Sequence, residues 1–173
     1  MKYLKELLIP FKGLNLGVHQ YNWEIDKRFF EEVENSEIHD AKLSVDLKFE
    51  KQERMFVLQF AINGHIVVDC DRCLDDLEYP VKIEQTVFVK FGEEDLDETE
   101  EIIVIPETDY QFDVSSNIYE FVVLSLPMRK VHGEDENGGS LCNIEMLDKV
   151  NEYARKQKAD PRWDKLKNLK LDN

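Results

Sequence analysis

Two cysteines spaced as Cys70-Asp71-Arg72-Cys73, followed by Leu74, are the residues of this sequence best suited to chemistry. Thiols at this spacing in a tight turn can both reach one atom, and C-x-x-C therefore recurs as a half-site for zinc. The same spacing serves dithiol redox catalysis, which wants its first cysteine at a helix N-terminus, where the dipole favours thiolate. Here Cys73 leads into a strand-like run, so the redox reading has little local support. One further cysteine exists, Cys142, far downstream, and a complete site has to be closed by tertiary folding. His132 and Cys142 flank a polar, glycine-bearing stretch. Together Cys70, Cys73, His132 and Cys142 would make a tetrahedral Cys₃His set with the chemistry of structural zinc. Spacing alone is equally compatible with ordinary, partly buried thiols.

The remaining candidates are weaker. His19 and His65 fall in strand-like runs and His39 in a loop, where histidine is more often a surface or packing residue than a ligand. No nucleophile elbow, zincin, Walker or dinucleotide fingerprint occurs, and no acid/base pair stands out, so the expectation is a protein that is not an enzyme. The C-terminal stretch reverses the charge balance. Arg155, Lys158, Arg162, Lys165 and Lys167 could contact phosphates, with Trp163 as a stacking or docking residue. The plainer reading is a solvated basic helix face with Trp163 pinning the tail.

Composition narrows the classes. At 173 residues and 42% apolar content the chain can bury a real core without disulfides. A formal net charge of −15 excludes a generally basic nucleic-acid surface and leaves only local patches. Three cysteines and no secretory pattern point to a reducing, cytoplasmic setting.

The elements that would position the thiols read as an antiparallel meander. Leu14 to Ile25 is strand-like, and Asp26 caps a short helix, Lys27 to Glu34. Ala41 to Glu50 alternates without a break, as a half-buried strand does. Met55 to Ile62 is followed by Asn63-Gly64, a two-residue hairpin signal, after which His65 to Asp69 returns into the C-x-x-C. Leu77 to Phe91 is a long strand, Glu93 to Glu101 an acidic solvated loop, and Ile102 to Ile105 a last short strand. Asn117 and Glu120 have capping-box spacing for a helix ending near Leu126-Pro127. Arg129 to Ser140 reads as a loop, Leu141 or Cys142 to Gln157 as an amphipathic helix, and Trp163 to Leu171 as a final helical piece. The expected class is α+β. An antiparallel twisted or barrel-like sheet is packed by one central helix over residues 1–140, with a helical, locally basic extension over 141–173.

Taken in order, Cys70-Asp71-Arg72-Cys73-Leu74 between strands, the helix Glu120-Phe121-Val122-Val123-Leu124-Ser125-Leu126-Pro127, the cysteine-bearing loop and Asp160-Pro161-Arg162-Trp163 form a combination. It resembles the YceD family, long described as a domain of unknown function, whose members are called large ribosomal RNA subunit accumulation proteins. The resemblance implies a non-catalytic role in making or maintaining large-subunit (23S) ribosomal RNA. Its partner would be a precursor particle, its RNA or a ribosomal protein, with no membrane and no small-molecule substrate. Many relatives carry a second C-x-x-C after the Leu-Pro helix. Here Cys142 matches one such thiol, Glu145 stands at the position three residues on, and His132 would have to replace another. The competing readings are a zinc-stabilised protein–protein adaptor unrelated to ribosomes and, more remotely, a thiol oxidoreductase.

Overall fold

The computed structural model describes residues 4–92 and 102–156. Packing divides the chain into two units. One holds the N-terminal segment, the sheet and the chain up to Lys130; the other joins the Cys70–Asp75 turn to the chain from Val131 on. The sequence expectation had drawn its boundary at 140/141.

The sheet unit is built from period-two sequence. Strands β2 (Gly17–Asp26), β3 (Ile38–Lys51), β4 (Met55–Asp69), β5 (Asp76–Phe91) and β6 (Ile102–Ile105) lie in sequence order in one five-stranded sheet. In β3, Ala41, Leu43, Val45, Leu47 and Phe49 are buried, while Lys42, Asp46 and Lys48 between them are exposed. Residues at i and i+2 share a face of a pleated strand, so this alternation fixes the register. Leu47 faces Tyr21 on β2 and Phe60 on β4, and Phe60 faces Gln85 on β5. The aromatic part of the core is continuous, with ring centroids 5.0 Å apart for Phe49–Phe56 and 5.1 Å for Phe56–Phe91. Each such side chain contributes about 1.5–3 kcal/mol on burial.

Three shorter elements complete this unit. Helix α1 (Lys27–Glu31) starts at Asp26, whose carboxylate accepts from the Arg28 amide, and it buries Phe29 and Phe30. Strand β1 (Leu8–Ile9) pairs antiparallel with β7 (Phe112–Asp113), a small sheet that the sequence patterning did not reveal. Helix α2 (Ser115–Leu124) buries Ile118 and Val122, and the Phe121 ring sits 5.3 Å from that of Phe60.

Four expectations are corrected. Asn63-Gly64 is not a hairpin: β4 runs through it, with Asn63 opposite Ser44 and Lys82. The inward face of β4 stays in phase across the dipeptide, from Phe60 and Ile62 to Ile66 and Val68, and that burial overrides the local turn signal. Gly64 serves close approach instead, since a Cβ there would lie 2.1 Å from the Lys42 carbonyl oxygen and its φ is +146°. Second, the sheet is not wholly antiparallel, because β6 runs parallel to β5. Third, β2 and β6 stand at opposite edges of the strand order and do not pair, so among the described residues the strands do not close into a barrel. Fourth, α2 begins ahead of Asn117, which is buried within the helix; Asp113 Oδ1 accepts from the Ser115 amide at 2.8 Å in place of the expected capping box.

In the other unit, α3 (Ile144–Lys156) follows Asn143, whose Oδ1 accepts from the amides of Glu145 and Met146. That places Cys142 before the helix and not in its first turn. The expected acidic loop 93–101 and the helical piece 163–171 lie outside the described residues. No helix among the described residues is long and apolar enough to cross a membrane.

Candidate metal centre

The first half of the cluster is a turn. The Leu74 amide donates to the Cys70 carbonyl and the Cys70 amide to the Asp75 carbonyl, both at 2.9 Å. Leu74 closes the turn in the left-handed region, φ +60°. That conformation costs a non-glycine residue on the order of 1 kcal/mol, so the turn is held by what surrounds it. Cys70 and Cys73 thereby point to one place.

The second half is a small hairpin. Asp135 Oδ1 accepts from the Asn137 and Gly139 amides, and the Asp135 amide donates to the Gly139 carbonyl at 2.7 Å. Gly138, at φ +80°, makes the reversal. The Leu141 amide then donates to the Gly133 carbonyl at 3.0 Å, which sets His132 and Cys142 side by side. Side chains fasten hairpin to turn: Arg72 Nη1 donates to Ser140 Oγ at 3.1 Å, and Asn143 Nδ2 to Asp75 Oδ2 at 3.0 Å.

Four donors converge as a result. Cys70 Sγ lies 3.9 Å from Cys142 Sγ, and Cys73 Sγ lies 3.4 Å from His132 Nδ1. All four ligand atoms are within 4.8 Å of one another, close enough to hold one metal ion. A tetrahedral ion with bonds of about 2.3 Å to sulfur and about 2.0–2.1 Å to nitrogen sets neighbouring sulfurs roughly 3.8 Å apart and sulfur–nitrogen pairs roughly 3.5 Å apart. The Cys70–Cys142 and Cys73–His132 separations lie close to those edges. They are far too long for a disulfide, and the three cysteines are free. Soft sulfur and imidazole nitrogen suit zinc-like ions and not magnesium or calcium.

Electrostatics point the same way. The three cysteines are buried and His132 is half-buried. Burial opposes ionisation of Cys70, but its sulfur receives hydrogen bonds from the Cys73, Arg72 and His132 amides and from the Cys73 side chain. The balance lowers its thiol to about 6. A thiolate at neutral pH is the form that binds metal.

The other histidines are not among the four grouped donors. His19 bonds the Asn15 carbonyl, His39 lies 3.1 Å from Asp69, and His65 lies 3.7 Å from Glu78. Of the basic tail, Lys158, Arg162, Trp163, Lys165 and Lys167 lie outside the described residues, as does the side chain of Arg155. Of the supporting residues, Arg72 entered the sequence reading only within the C-x-x-C motif and Ser140 only as a loop boundary, and Asp75 and Asn143 did not enter it. Their only signal was polarity beside the cysteines.

Fold and site together define an α+β protein in which a turn and a hairpin assemble four soft donors outside the sheet. The chain belongs to the YceD family, described as large ribosomal RNA subunit accumulation protein, whose model matches residues 58–170, more than half of the chain and inclusive of all four donors. It is also similar to the uncharacterized protein YlbN of Bacillus subtilis (strain 168), at 24% identity over 159 residues, 84% of this chain and 91% of the relative. No solved structure matches.

Proposed function

We propose that this protein is a non-catalytic factor supporting accumulation of large-subunit ribosomal RNA, and that it acts by binding a precursor particle, its RNA or a ribosomal protein. Family membership is the observation that carries the reading. Charge is consistent with it: a chain of net charge −15 suits contact with a basic ribosomal protein, while the basic residues Arg155, Lys158, Arg162, Lys165 and Lys167, with Trp163, form an RNA-contacting arm. Cys70, Cys73, His132 and Cys142 hold a structural zinc ion, which fixes the turn against the hairpin and does no chemistry on a substrate. The setting is cytoplasmic.

The test is sedimentation of the tagged endogenous protein through a gradient of low-salt lysate. Co-migration with large-subunit precursors, lost at higher salt, is the expected result. Migration solely as a free small protein overturns the particle-binding form and leaves the zinc-stabilised adaptor.

A further inference from the structure

The sheet unit contains a second constellation, unrelated to the cysteines. A cleft of about 650 Å³ opens where β3 turns into β4, within the usual range for ligand sites. Its cations are Lys12, Lys51 and Arg54, its carboxylates Glu53 and Glu107, and its apolar wall is Phe11 and Phe91.

The cations are already in position. Lys51 Nζ donates to the carbonyls of Phe11 and Leu14, both at 2.8 Å, and Lys12 Nζ donates to the Thr108 carbonyl at 3.2 Å. Carbonyls orient an ammonium without neutralising it. Among the described residues neither lysine is held by a carboxylate, so their charge remains available to an anion. Phe91 is fixed as well, edge-on to Phe56 at 5.1 Å and 85°, and to Phe11 at 5.8 Å and 62°. Phe11 is almost fully buried, whereas half-buried Phe91 keeps surface toward the cleft. A ligand meeting this wall immobilises little that is not already immobile, which lowers the cost of binding.

The charge pattern selects among ligands. A bare polyanion would meet Glu53 and Glu107 beside the cations. A basic peptide would meet Lys12, Lys51 and Arg54. A nucleotide satisfies all three elements, because it joins an anion to a planar π-face and to hydrogen-bond donors on the ribose and the base.

We propose that this cleft binds one unstacked nucleotide of single-stranded RNA. The base lies on Phe91, the phosphate faces Lys51, Lys12 and Arg54, and Glu53 and Glu107 accept hydrogen bonds from the 2′-hydroxyl or an exocyclic amino group. The inference rests on the function proposed above only in taking RNA as the partner. It uses none of the residues of the basic tail.

The experiment titrates the full-length protein with a short labelled single-stranded RNA, read by fluorescence anisotropy across a salt series. Lys12→Ala with Arg54→Ala alters two exposed residues and leaves the Lys51 hydrogen bonds intact; thermal unfolding confirms that the fold is kept. The expected result is weaker binding with a drop of up to about 0.7 in the slope of log affinity against log salt, the contribution of the one phosphate these cations face. Glu53→Gln with Glu107→Gln is expected to narrow the preference for RNA over the same deoxy strand. An unchanged slope in the first variant overturns the cleft, as does a loss of RNA binding caused only by charge reversal of Arg162, Lys165 and Lys167. Competition by a lysine-rich peptide without any RNA binding also overturns it, in favour of a protein ligand. Co-sedimentation with precursor particles is scored separately, so the cleft can fail while particle binding stands.

Discussion

The two units of this chain are held together by different physics. The sheet unit buries a continuous apolar cluster from Leu7 to Val122, with Phe49, Phe56 and Leu58 wholly enclosed. In the turn-and-hairpin unit the only buried residues among those described are Cys70, Cys73 and Cys142. Of the apolar residues of α3, Met146 and Leu147 are half-buried and Ile144 and Tyr153 stay at the surface, each at 72% exposure. A unit with no apolar interior cannot offset its chain entropy by burial. On the reading proposed above, its order comes from the metal ion that the four donors would hold, as in small zinc modules that are folded only with metal.

The largest expected effect separates the units outright. Chelation of the full-length protein, or Cys70→Ser with Cys73→Ser, is expected to abolish amide protection from Val131 through α3 and leave β3 and β4 protected. Hydrogen exchange resolved by segment reads this directly. Protection lost in both units would show that the sheet also depends on the metal. Protection lost in neither would remove the structural role of the ion. The converse variant is Phe56→Ala, expected to cost about 4 kcal/mol of sheet stability while zinc stays stoichiometric.

Acid offers a second way to open the metal unit alone. The Cys70 thiol is lowered to about 6 from the ordinary thiol value of 9.0. A depressed acid favours folding above its unfolded value and loses that contribution as pH falls through the folded value. Because a bound metal competes with the proton for this thiolate, metal is expected to be retained at neutral pH and at about 6 and released only at lower pH, as read by a colorimetric zinc indicator. Release starting well above 7 would mean that the amides of Cys73, Arg72 and His132 do not hold the thiolate.

The contrast also explains what could be read from sequence. Alternation in Leu43, Val45, Leu47 and Phe49 showed a half-buried strand, because one buried face imposes period two. The four donors were nameable because few residue types bind soft metals and this chain has only three cysteines. Their convergence was not legible. It depends on Gly138 reversing a hairpin and on Arg72 and Asn143 reaching Ser140 and Asp75, pairings that leave no periodic trace. Asn63-Gly64 misled for a related reason. The dipeptide reports local preference, whereas the pairing of Gly64 with Leu43 and Val81 on either side is a long-range fact. Gly64→Ala tests that account. It is expected to cost about 3 kcal/mol or more, from strain at positive φ and the collision with the Lys42 carbonyl, with metal binding unaffected.

The smallest effect decides where the metal unit ends. Asn143 caps α3 through Oδ1 and ties the hairpin to the turn through Nδ2. Asn143→Ala is expected to cost about 1 kcal/mol from the lost cap. If α3 folds only when the four donors are filled, that cost is subtracted from the metal-binding free energy, and zinc affinity falls about fivefold at unchanged stoichiometry. Competition with a chelator of known affinity measures the change. An unaltered affinity would mean that α3 forms independently of the cluster, and the metal-dependent unit would then stop at the hairpin, with the helix a separate element whose exposed apolar residues play no part in holding the ion.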